Sequence, residues 1–147
     1  MANLYGKKAK APQIMPVDGC AVIIDDSISL AANPAAADVI NFRLPGGLRL
    51  GMLDIRSDDL DTNVSPELVF SVGYRPVDSG SSLAANATYF AAAGQTIGQT
   101  GGTLHCSFKP IKFEEDVYVT LTIGTDSATF AAGDIGMIAV GAAEGVK

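Results

Sequence analysis

The sequence predicts an all-β fold of about eight short strands joined by turns, the pattern of a sandwich or barrel. Three observations lead there. Within 113–123, Val117, Val119, Leu121 and Ile123 alternate with Tyr118, Thr120 and Thr122, so four apolar side chains share one face of a strand. No stretch shows the three-to-four spacing of an amphipathic helix of any length. No repeat of 20–50 residues is present, which argues against a propeller or solenoid. The 147 residues suit one domain with a real core.

Taken in order, residues 1–16 read as an extended basic arm that lies on a surface. They carry Lys7, Lys8 and Lys10 and end in Pro12 and Pro16, which cannot donate within a sheet. The body, 17–147, begins with an apolar run at 20–24 read as a buried strand that Asp25 and Asp26 close. Ile28 and Leu30 resume at period two, and Asn33-Pro34 makes a turn. In 38–44, Ile40, Phe42 and Leu44 point one way and Asn41 and Arg43 the other; Pro45-Gly46-Gly47 breaks the strand. In 48–56 the apolar parity switches from Leu48, Leu50 and Met52 to Leu53 and Ile55, which predicts a bulge or a bend between sheets. Residues 57–63 form a polar loop, and 68–74 a strand with Leu68, Phe70, Val72 and Tyr74 on one face. The alanine-rich 86–93 predicts one or two helical turns, and 94–102 is irregular. A strand at 104–108 sets Leu104, Cys106 and Phe108 against His105 and Ser107. The last strand, 135–140, is apolar or small on both parities and is expected to be central and covered on both sides.

Apolar residues make up 48% and charged residues only 18%, which points to permanent association with neighbours. Net charge is −6; setting aside Lys7, Lys8 and Lys10, the rest carries −9. Such a body disfavours nucleic acid and anionic membrane, and no run approaches the ~18 apolar residues of a membrane helix. The opening residues lack a secretory h-region, so synthesis and assembly in the cytoplasm are expected.

The residues offer no catalytic constellation. His105 is the single histidine, and with Cys20 and Cys106 it supplies at most three metal ligands, two of them on opposite strand faces. Cys106 is expected in the core, Cys20 in or near it, and His105 at the surface or a subunit interface. Asp54, Asp58, Asp59, Asp61 and Asn63 could gather a hard cation, but the EF-hand glycine and glutamate are missing, and closing turns is the preferred reading. Glu114, Glu115 and Asp116 read as a solvated strand entrance that could also meet a basic partner. The expectation is a protein without cofactor, metal site or enzymatic activity.

Three stretches together resemble small head proteins of tailed bacteriophages: 53–63 (LDIRSDDLDTN) running into 68–74 (LVFSVGY); 88–94 (TYFAAAG); and 113–123 (FEEDVYVTLTI) followed by 131–140 (AAGDIGMIAV). These are the decoration, or cement, proteins. The resemblance implies a single-domain antiparallel β-sandwich of jelly-roll type. It implies binding as homo-oligomers on the capsid exterior, across seams between major capsid protein subunits, to hold the expanded shell against DNA pressure. A homodimer is expected, with a trimer as alternative. Lys7, Lys8 and Lys10 could then pair with acids on the capsid, and the uncharged face of Tyr118, Thr120 and Thr122 could meet a neighbour. The other readings are a tail or fibre β-sandwich of the virion and a glycan- or calcium-binding module.

Overall fold

The computed structural model describes residues 1–10 and 20–146. Among them are ten strands: β1 (Asn3–Tyr5), β2 (Ala21–Leu30), β3 (Val39–Leu44), β4 (Leu48–Ser57), β5 (Val69–Pro76), β6 (Asn86–Gln95), β7 (Gly102–His105), β8 (Ile111–Lys112), β9 (Val117–Thr125) and β10 (Gly133–Ala143). One sheet has the order β1-β3-β9-β5-β6; the other has β2-β10-β4-β7, with β8 also pairing with β4. All pairings are antiparallel except that of β1 with β3. Setting aside the short β1 and β8, eight strands remain, four per sheet, and the chain passes repeatedly from one sheet to the other. This is the expected jelly-roll sandwich.

The core is the layer between the two inner faces. β9 delivers Val117, Val119, Leu121 and Ile123, and its neighbours deliver Ile40, Phe42 and Leu44 from β3 and Phe70 and Val72 from β5, all buried. Opposite them stand Ile24, Leu50, Leu53, Ile55, Ile135, Met137 and Ala139. The parity switch in β4 is a bulge. Met52 pairs with Val140 and Leu50 with Gly141, leaving Gly51 without a register partner, so Leu48 and Leu50 face inward together with Leu53 and Ile55.

Both open sides of the sandwich are sealed. On one side residues 1–10 cross from the first sheet to the second. β1 pairs with β3, the Gly6 N–H donates to Asn41 O (2.8 Å), and the Lys7 N–H donates to Ser27 O of β2 (2.9 Å). The expected arm is thus a sheet strand at residues 3–5; its Pro12, Pro16 and inner boundary lie outside the described residues. On the other side Tyr74, Tyr89, Phe90, Phe108 and Phe113 form edge-to-face ring pairs, among them Tyr74–Phe113 and Phe90–Phe108 at 4.9 Å.

Several expectations need correction. Residues 86–93 are strand, not helical turns: Phe90 enters the core, and pairing with β5 overrides the helix propensity of alanine. Asp25 and Asp26 do not end their strand, because β2 runs on to Leu30 and buries Asp26, whose Oδ1 accepts from the Lys8 and Ser27 N–H groups. The strand at 104–108 stops at His105. Cys20 is exposed, since it precedes the paired part of β2. β10 is central, but Ile138 and Val140 on its outer face are only half-buried, because among the described residues no layer lies over that sheet.

One polar group sits at the end of the core. Asp61 is 1% exposed, and its carboxylate accepts from four well-placed N–H groups: Glu67 (2.8 Å), Leu68 (3.1 Å), Ala128 (3.0 Å) and Thr129 (2.9 Å). It therefore ties the entrance of β5 to the segment leading into β10. Burial alone would raise its pKa, but the N–H groups of Thr129, Glu67, Ala128 and Leu68 together outweigh burial and hold it well below the usual carboxylate range. Asp61→Asn places an amide NH2 among these donors and is expected to cost about 3 kcal/mol, a fall of about 10 °C in Tm. Because the folded pKa is depressed, the contribution of Asp61 is complete above the unfolded value of about 4 and is lost as pH falls below it. Thermal melts across pH should show the gap between wild type and Asp61→Asn widest near neutrality and narrowing below pH of about 4. An equal gap at all pH values would contradict the role.

Candidate functional site

The sequence-predicted residues fall into four places. On the outer side of the first sheet, Tyr118 lies between Arg43 and Arg75 in register. Its ring meets Tyr5 edge-on at 5.6 Å, and the Arg75 guanidinium lies 4.8 Å from its centroid. Arg75 also donates from Nε to Asn41 Oδ1 (2.9 Å) and from Nη2 to the Tyr5 hydroxyl (3.4 Å). Lys10 Nζ sits 4.9 Å from the Tyr5 ring. Tyr5 and Lys10 of the arm and the face of Tyr118 are thus one surface, a stack of Lys10, Tyr5, Tyr118 and Arg75. Thr122 is half-buried four residues along, whereas Thr120, two along, is 4% exposed and cannot itself meet a neighbour. It pairs with Gly73, and the Asn86–Ala87 backbone approaches so closely that a Cβ on Gly73 would lie 2.0 Å from Asn86 O.

Lys7 and Lys8 project where residues 1–10 reach the second sheet, and both are exposed. Lys8 Nζ donates to Asp25 O (2.8 Å) and pairs with Asp25 Oδ2 (3.1 Å), both side chains more than half exposed. Gly6 allows the passage: a Cβ there would lie 2.3 Å from Asp26 Oδ2 and 2.5 Å from a ring carbon of the buried Phe42.

The acidic loop uses its side chains on backbone N–H groups, of the loop itself and of the segment at the start of β10. Asp58 Oδ2 accepts from the Asp134 N–H (2.8 Å), Asp59 Oδ1 from Asp61 (3.1 Å) and Asn63 Oδ1 from Ser65 (2.9 Å). Among the described residues no group of three or more His, Cys, Asp or Glu is placed to hold a metal ion. The acids at 114–116 are likewise engaged within the chain. Asp116 pairs with Arg43 (2.6 Å) and accepts from the Gly46 N–H (2.8 Å), Ser81 Oγ donates to Glu115, and Glu114 pairs with Lys112 (3.2 Å).

A cleft of about 340 Å³ lies between the edge strands β6 and β7, lined by Tyr89, Gln95, Leu104, His105 and Cys106 among others. His105 is exposed and its Nδ1 lies 2.9 Å from Asp54 Oδ1. Burial, with the nearby Asp54 charge, pushes the Cys106 thiol up to about 12, so the thiolate needed of a nucleophile is not available near neutrality. The sequence reading missed the stack on Tyr118 and the role of Asp61. Both depend on residues distant in the chain, and no spacing announces them.

No protein-family profile matches the chain, and no curated protein does. Solved structures do. A chain in the capsid of Ralstonia phage GP4 is 27% identical, with a TM-score of 0.80 over 99% of this chain and 100% of that one. A chain in the capsid asymmetric unit of cyanophage Pam1 is 25% identical, with a TM-score of 0.68 over 91% and 94%. The likeness supports a bacteriophage capsid-related protein with a structural role in the virion.

Backbone hydrogen bonds join residues 1–10 to both sheets, and the close approach at Gly6 permits them, whereas the Lys8–Asp25 pair is exposed. Gly6→Ala should raise hydrogen exchange across these residues by at least about tenfold while leaving β9 protected. Lys8→Ala removes an exposed ion pair and should change stability by less than about 0.5 kcal/mol. Equal exchange in the two variants would contradict this division.

Proposed function

We propose that the chain is a capsid decoration, or cement, protein that binds the outside of an expanded phage head as a homo-oligomer, across seams between major capsid protein subunits. The observation that carries the reading is whole-chain likeness to a capsid chain, 99% of one on 100% of the other. The matched capsid chain is of the same size, so the likeness is to an entire small chain and not to a domain within a larger shell protein. Assembly in the host cytoplasm and a final place on the capsid exterior follow from this reading.

Its mechanism is mechanical. A sandwich stapled at Asp61 and sealed on both sides is a rigid body, and a rigid body laid across a seam resists separation of the subunits beneath. Lys7, Lys8, Lys10, Tyr118 and Thr122 are the proposed contact residues, cations set against the acidic remainder of the chain. Each contact is small, but many copies on one lattice act together.

Because β1 is part of a sheet, charge substitution is a cleaner test than deletion. Purified protein mixed with expanded heads that lack it should saturate at a fixed copy number and raise the temperature of DNA release. A Lys7, Lys8, Lys10 triple change to Gln should weaken binding about tenfold at low salt, and the difference should shrink as salt rises. No binding to heads would remove the proposal, and unchanged affinity of the triple variant would remove the lysines from the contact.

A further inference from the structure

Among the described residues, the outer face of the second sheet is where apolar side chains are left uncovered, and register fixes its pattern. Val140 of β10 stands between Ile23 of β2 and Met52 of β4. Ile23 and Met52 are 72% and 55% exposed, two of the five exposed large apolar residues among those described. Charges flank this row in a definite order. One row away on one side, Ile138 stands between Asp25 and Asp54, and a row further Gly136 stands beside Arg56. On the other side, Ala142 stands beside Arg49, and Glu144 follows, bonded through its N–H to Gly47 O. With Asp134 one row beyond Gly136, the order is acid, base, acid, apolar, base, acid along the strands.

That order complements itself when reversed. A second copy laid face to face, about a twofold axis running across the strands at Val140, sets the apolar row on itself. It sets Asp54 opposite the other copy's Arg49, and Arg56 opposite its Glu144. Within each chain Arg49 already pairs with Glu144 at 2.5 Å, so the two copies extend that pair into a four-membered alternation. A hollow of about 240 Å³ beside Gly136, walled by Arg56 and by Asp25, Asp26 and Asp134, lies where Glu144 of the other copy would come, and Arg56 is the cation it would meet there. An axis along the strands would instead oppose Asp25 to Asp54.

We propose that this face is an isologous contact between two copies of the chain, with Ile23, Met52 and Val140 at its centre and the Arg56–Glu144 contacts at its ends. The proposal rests on the homo-oligomer part of the reading above and not on the capsid role. Three strands at ~4.8 Å and eight residues at ~3.4 Å outline a patch of roughly 400 Å² per copy. That is half of the usual ~800 Å² per partner, so association of the free protein is weak and concentration-dependent.

Sedimentation across concentration tests it on the full chain. Wild type should pass from monomer to dimer. Met52→Asp, with unchanged circular dichroism and Tm, should weaken association at least about tenfold. Arg56→Glu and Glu144→Arg should each weaken it, and an equimolar mixture of the two should regain it, because mixed pairs restore opposite charges at both ends. A folded Met52→Asp protein that associates like wild type, or a mixture that regains nothing, overturns this contact. Wild type that stays monomeric at every concentration, even if it binds some other component, overturns the contact and the homo-oligomer reading while leaving head binding untouched.

Discussion

Everything in this molecule follows from enclosing one apolar layer between two sheets. β9 sits at the middle of the first sheet and β10 within the second, and their inward residues are almost completely buried. At about 25 cal/mol per Å² of apolar surface, that layer is the dominant favourable term. It also imposes requirements on the rest of the chain. The bulge at Gly51 keeps β4 facing the layer along its whole length. Residues 1–10 and the aromatic group around Tyr74 close the two sides through which water would enter. Where the layer ends, the buried Asp61 carboxylate accepts from four backbone donors and so is not left without partners.

How much of this could be read from the sequence depended on whether the information was local. Period-two alternation placed β3, β5 and β9, and the parity switch placed the bulge, because strand faces are written in adjacent residues. The alanine run of β6 misled, since its propensity is helical while its structure is decided by β5 and by the pocket that takes Phe90. Asp61 could be read as a turn residue, but its donors at 128 and 129 lie 67 and 68 residues away. The same limit hid the stack of Lys10, Tyr5, Tyr118 and Arg75. Lys10 and a tyrosine face expected to act separately meet on one surface, and Thr120, on the same parity, is buried beside Gly73, which the Asn86–Ala87 backbone approaches closely.

The polar chemistry of the chain is directed inward. Acids that could have formed a site bind their own backbone or a neighbouring cation, and the Cys106 thiol is held protonated. What the surface offers is shape, a few lysines and arginines, and one apolar row. These suit a protein whose partners are other chains, in agreement with the capsid chains whose fold it shares.

The central claim is that this chain sits in many ordered copies on the outside of a phage head. Density from purified particles, with the copy number measured independently by quantitative mass spectrometry, tests it most directly. The account predicts two-sheet sandwiches over the seams of the shell, at a copy number fixed by the lattice. Density confined to the tail or the inner surface, or only a few copies per particle, would contradict it.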